Sequence, residues 1–230
     1  VRMNRIDYNK IMRETLQQVP AGARLLLHSC CGPCSSRCLE TLKDVFRVTV
    51  YYYNPNITEE EEYLHRKGEQ IRLLKETGWA DFLDCDYQSG DFFRAVRGLE
   101  GEPEGGARCK ICYQLRLDRT AQAAKENGYD WFCTTLSVSP HKNAGWINEL
   151  GARAQQKYGV RWLYSDFKKE NGYLRSVELA KTYGLYRQNY CGCVFPIGER
   201  IKSKNKPPKR RFFSFVPRKR LTGGKKAGII

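Results

Sequence analysis

Five short apolar or β-branched runs, each followed by a stretch of helical spacing, constrain this chain more than any other feature. "RLLLH" at 24–28, "FRVTVYYY" at 46–53, "ADFLDC" at 80–85, "DWFCTTL" at 130–136 and "VRWLY" at 160–164 read as strands. Helices are expected near 6–18, 35–44, 58–77, 90–97, 109–127, 142–158 and 172–183. Thr58 is the expected N-cap of the third, with Glu61 at the capping-box position. Strands joined by crossover helices pair in parallel, and a parallel sheet is covered on both faces. The expected fold is therefore a Rossmann-like α/β domain. In such sheets ligands sit at the carboxyl ends of the strands, so the loops after the first and third strands and the glycine-rich "GLEGEPEGGAR" loop should meet at one edge.

Those loops carry cysteines. The first strand runs into "HSCCGPC" at 28–34, and the glycine-rich loop leads into Cys109-x-x-Cys112. Cys30, Cys31, Cys109 and Cys112 form a candidate four-thiolate site for zinc or an iron–sulfur cluster. Adjacent residues of an extended chain point to opposite faces, so Cys30 and Cys31 converge only if the backbone turns, which Gly32-Pro33 would supply. Vicinal thiolates are awkward around one small zinc ion and easier to place on the separated corners of a cube. This favours the cluster. The helix expected to start near Cys109 would direct its amide dipoles at that anion, with Arg108 and Lys110 adding charge beside it.

Cys191-Gly192-Cys193 is a second group. A CxC disulfide closes a small, strained and easily reduced ring. Redox activity, two metal ligands and two unpaired thiols all remain open for it. Cys34 with Cys31 also spells the CGPC of a thioredoxin-like dithiol. Cys34 and Cys38 share a helix face, and Cys85 and Cys133 read as simply buried. His28 abuts the thiols as a candidate proton donor, as a polar group supporting the metal ligands, or as a satisfied strand-end histidine. An Asn of "NPNIT", a nearby Tyr and Arg66 could hold a polar ligand.

Charge separates the chain into two parts. Eleven of the 40 basic residues and none of the 25 acids fall in residues 201–230, so the first 200 residues keep only +4 of the total +15. The expected organisation is one α/β domain over 1–200 and a basic, flexible tail over 201–230. The Phe residues interleaved in "KPPKRRFFSFVPRKR" suit phosphate backbones and base stacking. No apolar run nears the ~20 residues of a membrane helix, and no leader pattern opens the chain. The expected location is the cytoplasm, where thiols stay reduced and clustered cysteines bind metal or do redox chemistry.

Six blocks then occur in order: "HSCCGPCSS", "YYNPNI" with a following "EY", "RCKICYQLRL", "TTLSVSPHKN", "SDFKKENG" and "YRQNYCGC". Together, over residues 24–196, they resemble the QueH family of epoxyqueuosine reductases. The usual family form has Ala where this chain has Gly32, and the basic tail lies outside the resemblance. The resemblance implies reduction of epoxyqueuosine to queuosine at the wobble position of tRNA. It assigns a 4Fe–4S cluster to Cys30, Cys31, Cys109 and Cys112, and a redox-active disulfide to Cys191 and Cys193. It also implies a second metal, a mononuclear iron, beside the cluster, no cobalamin, an unidentified electron donor, and a sheet of the adenine-nucleotide hydrolase type. Rival readings are a thioredoxin-like oxidoreductase using Cys31 and Cys34, a tRNA-thiolating enzyme, and a zinc-stapled RNA-binding module.

Overall fold

Leu25 and Leu27 enter one core and Leu26 the other, the alternation that a strand covered on both faces requires. The computed structural model describes residues 6–195. In it this segment is the middle of a five-stranded sheet. Strands β1 (Arg24–His28), β2 (Arg47–Tyr51), β3 (Asp81–Leu83), β4 (Trp131–Thr134) and β5 (Arg161–Trp162) lie in the order β3-β2-β1-β4-β5, and every pairing is parallel. The expected α/β class is the observed one.

Helices α1 (Tyr8–Leu16), α2 (Gly32–Leu42) and α3 (Glu60–Thr77) deliver Met12, Leu39, Leu42 and Leu74 to the core holding Leu25, Leu27, Val48 and Val50. After α4 (Ser89–Ala95), α5 (Ala107–Glu126) and α6 (Ala144–Tyr158) bury Leu117, Ala121, Ile147 and Leu150 against Leu26 and Phe132 on the other face. The last helix, α7 (Gly172–Thr182), packs on α2. Burying leucines and aromatics on both faces, at about 25 cal/mol per Å² of apolar surface, is the main term favouring this arrangement.

The chain runs outward from β1 to β2 and β3, then α5 carries it back to β4 on the other side of β1. The crevice between the carboxyl ends of β1 and β4 is thus the topological switch point, where ligands collect in such sheets.

Three local expectations change. α3 begins at Glu60 with Glu59 as its extended N-cap, and Thr58 does not cap it. Thr58 instead donates its backbone N–H and hydroxyl to the Gly192 carbonyl, at 3.1 and 3.3 Å. The second helix begins at Gly32, not near 35. The fifth strand shrinks to two residues because only Trp131 and Phe132 of β4 lie beside it. The tail of 201–230 and the first and last five residues of the expected 1–200 domain lie outside the described residues.

Candidate functional site

His28 closes β1, fully buried. Its Nε2 donates to the Tyr53 carbonyl at 3.0 Å, so Nδ1 accepts from the Thr134 hydroxyl at 2.8 Å. Burial, helped by the nearby Arg116 charge, lowers its pKa to about 4. The imidazole is neutral and both nitrogens are engaged. It is the satisfied strand-end histidine, tying β1 to β4 and to the loop after β2, and it is not a proton donor.

The strand then passes directly into α2. Cys31 is the extended N-cap, and Gly32 and Pro33 are the first helical residues. Proline fits there because the N–H it lacks has no helical acceptor. The bend expected at Gly32-Pro33 is therefore the strand-to-helix junction itself. It brings the sulfurs of Cys30, Cys31 and Cys34 within 4.8 Å of one another. Cys34, for which the sequence suggested no firm role, is the third member of this group.

The three thiols share their protons. Hydrogen bonds from Cys31 and Cys34 hold Cys30 well below the usual thiol range, and Lys142 and Arg116 add to this. Bonding to Cys30 pushes Cys31 up to about 11 and Cys34 well above its ordinary value. The first proton lost leaves its charge on Cys30. Behind the group, Ser29 and Ser35 both donate to Gln70 Oε1, at 2.8 and 2.6 Å, which fixes the start of α2 against α3.

The CxxC pair lies on the first turns of α5. Glu102 accepts from the Ala107 N–H at 3.1 Å, and the Gly105 N–H donates to Cys109 Sγ at 3.3 Å. The cations expected beside it are engaged elsewhere. Arg108 Nη1 donates to the carbonyls of Leu99, Glu100 and Glu102 and so shapes the glycine-rich loop, although its charge still reaches Cys193. Lys110 pairs with Glu149 at 3.3 Å.

Two other cations face the thiols. Arg116, 1% exposed, donates Nε to the Cys112 carbonyl at 3.2 Å, and its buried Nη2 has no hydrogen-bond partner among the described residues. Burial alone would lower its pKa, yet the thiols of Cys112, Cys191 and Cys30 outweigh that and raise it. Half-buried Lys142 is likewise raised against burial, by Cys191 and Cys30. The sequence reading missed both. The available signals were that Arg116 follows Cys112 by one helical turn, and that "SPHKN" follows the strand facing β1 across the switch point.

All these groups border one crevice. A small cavity of about 30 Å³ is lined by Cys109, Cys112, Cys191 and Cys193. A larger one of about 430 Å³ is lined by Cys30, Cys31, Cys34 and Cys191. Arg116, His141, Lys142 and Cys191 belong to both walls. The expected quartet of Cys30, Cys31, Cys109 and Cys112 is thus divided between two cavities, Cys30 and Cys31 in the larger and Cys109 and Cys112 in the smaller, with Cys191 in the wall of both. Cys191 and Cys193 are both free thiols. Of the cysteines read as merely buried, Cys133 is buried, whereas Cys85 is half-buried and donates to the Tyr52 carbonyl at 3.1 Å.

The residues expected to hold a polar ligand hold the chain's own backbone. Asn54 Nδ2 donates to the Ser29 carbonyl at 2.7 Å. Asn56 Nδ2 and Arg66 Nη1 both donate to the Cys191 carbonyl at 3.3 Å. Tyr51 and Tyr53 stack on one side of the sheet while Tyr52 packs with Tyr63 elsewhere, which is ordinary strand alternation.

A protein-family model described as epoxyqueuosine reductase QueH matches residues 25–199. Epoxyqueuosine reductase QueH of Streptococcus pyogenes is 44% identical over 199 residues, 83% of this chain and 78% of that protein. The Staphylococcus aureus protein of the same name is 40% identical over 218 residues, 89% and 91% of the two chains. Its Thermotoga maritima namesake is 35% identical over 76% of this chain and 91% of its own. Among solved structures, the tRNA thiolase NcsA of Methanococcus maripaludis aligns over 93% of this chain and 84% of its own, at a TM-score of 0.41 and 9% identity, too loose a likeness to bear on function.

Proposed function

The chain belongs to the QueH family of epoxyqueuosine reductases, and on that premise we propose that it reduces epoxyqueuosine to queuosine in tRNA with a 4Fe–4S cluster held by Cys30, Cys31, Cys109 and Cys112. The observation that carries this reading is the buried Arg116 Nη2, without a hydrogen-bond partner among the described residues, beside thiols from three separate segments. A buried guanidinium nitrogen left without a hydrogen-bond partner is costly, and an anionic thiolate cluster would offset it. The donor set fits: four soft thiolates, two of them at the amino end of a helix. Bound there, the cluster would supply low-potential single electrons.

The remaining roles belong to the protein's own residues. Removing the epoxide oxygen as water, with an alkene left behind, consumes two electrons and two protons. The Cys191–Cys193 dithiol can release both pairs as it closes to a disulfide, which an external dithiol or one-electron carrier must then reopen. Arg116 and Lys142 line the larger cavity as fixed N–H donors for the departing oxygen. That cavity, of about 430 Å³, is of a size to take one base presented out of its stack. Cys34 adds a thiol outside the quartet for the second iron. Among the described residues no helix is long and apolar enough to cross a membrane.

Anaerobic purification tests the reading. About five irons, four in the cluster and one at the second site, and four acid-labile sulfides per chain are expected, with activity on epoxyqueuosine tRNA. Cys109→Ser should lose both iron and activity. Cys191→Ser should keep the iron and stop turnover. A colourless protein with one zinc would overturn the cluster, and normal turnover by Cys191→Ser would overturn the dithiol.

A further inference from the structure

The redox turn has no secondary structure of its own, and its three successive carbonyls are gripped from outside. Arg66 Nη2 donates to the Tyr190 carbonyl at 3.4 Å and Nη1 to that of Cys191 at 3.3 Å. Asn56 Nδ2 donates to Cys191 at 3.3 Å, and Thr58 gives its N–H and hydroxyl to Gly192. The grip is itself rigid. Arg66 is 2% exposed, its Nε is bonded to Glu62 at 2.7 Å, and it lies over the Tyr190 ring at 5.0 Å. Gly192 has φ +99, and a Cβ there would come within 2.8 Å of Ile57 Cγ1, so the turn lies directly on the 54–58 loop.

We propose that Arg66, with Asn56 and Thr58, is a positioning clamp that holds the Cys191–Gly192–Cys193 turn in the bend its disulfide needs and thereby makes the dithiol a stronger reductant. This rests on the redox role given to that pair above. Two thiols become one disulfide, two protons and two electrons. Closing so small a ring freezes the backbone of the turn, and that entropy opposes the disulfide. A turn already frozen by five hydrogen bonds gives up less on closing. The disulfide is then favoured over the dithiol, and the midpoint potential is lower. Arg66 also lines the cavity of Cys30 and Cys31. The residue that sets the turn therefore also faces the cluster side of the crevice.

The test is the midpoint potential of the Cys191–Cys193 couple. Purified full-length protein is equilibrated in graded reduced and oxidised dithiothreitol, and the two thiols are counted by differential alkylation. Arg66→Met should weaken disulfide formation about tenfold, which raises the potential by roughly 30 mV for a two-electron couple. Arg66→Lys should recover part of this. Thr58→Val, which keeps the backbone bond, should shift it two- to threefold in the same direction, and it decides the matter if Arg66→Met fails to fold. An unchanged midpoint in folded, iron-replete variants overturns the clamp, even where thermal stability falls. The couple is read without turnover, so a Cys191→Ser enzyme that still turned over would sink the redox role while leaving the clamp to be judged separately.

Discussion

Two cysteine turns meet in the crevice between β1 and β4, and they are held in opposite ways. The Cys30–Cys31–Cys34 group sits on a strand-to-helix junction, so regular backbone on either side fixes it. The Cys191–Cys193 turn is preceded by irregular chain and is held by side chains of α3 and the 54–58 loop, more than 120 residues earlier in sequence. The first arrangement suits a site that must stay rigid around metal. The second suits a pair that must open and close a bond while its position is maintained from outside.

The two glycines beside these thiols expose the difference most sharply. Gly192→Ala forces a side chain into a left-handed position against Ile57. Displacing the turn by even an ångström should cut turnover on the order of a hundredfold, with iron content retained. A normal rate in that variant would show that the turn tolerates movement.

The strand-end region should also have a pH signature. His28 is held at about 4, below its ordinary 6.5, by burial. Between those values the unfolded chain binds more protons than the folded one, so stability rises with pH. It should fall as pH drops through 6.5, and the loss should be complete near 4, for a total of about 3 kcal/mol. Urea unfolding of wild type and His28→Asn across this range checks it, and equal slopes would contradict it.

Within the triad, Cys34→Ala removes a donor to the Cys30 thiolate. Alkylation of Cys30 in metal-free protein near neutral pH should slow about tenfold, since a hydrogen bond to a charged group contributes ~1.5–3 kcal/mol. Cys193→Ser should leave that rate unchanged, because Cys193 lines only the other cavity. The smallest effect is expected for Gly32→Ala. Its added Cβ meets Leu185 only at 3.5 Å, in a helical backbone where alanine is favoured. Turnover should be unchanged and stability equal or slightly higher. A large loss would mean that this junction is as tightly packed as the other turn.

Much of this was legible in the chain itself. The alternation of strand-like and helix-like segments set the parallel sheet, because crossover helices leave no other pairing. The blocks from "HSCCGPCSS" to "YRQNYCGC" carried the family. Local chemistry misled where a polar residue had two partners to choose from. Thr58 is a good N-cap by type, yet its hydroxyl serves Gly192, and Arg108 and Lys110 flank Cys109 while their nitrogens bond elsewhere.

The sequence by itself determined the fold class, the edge of the sheet where the cysteines gather, and the spacing of each thiol group, all of which follow from periodicity and short-range geometry. Only the tertiary structure decided which thiols are neighbours, that Arg116 and Lys142 are the cations between them, and that Arg66 grips the CGC turn. The reason is physical. A side chain's periodicity shows which face it lies on, but its hydrogen-bond partner depends on which distant loop is folded against it.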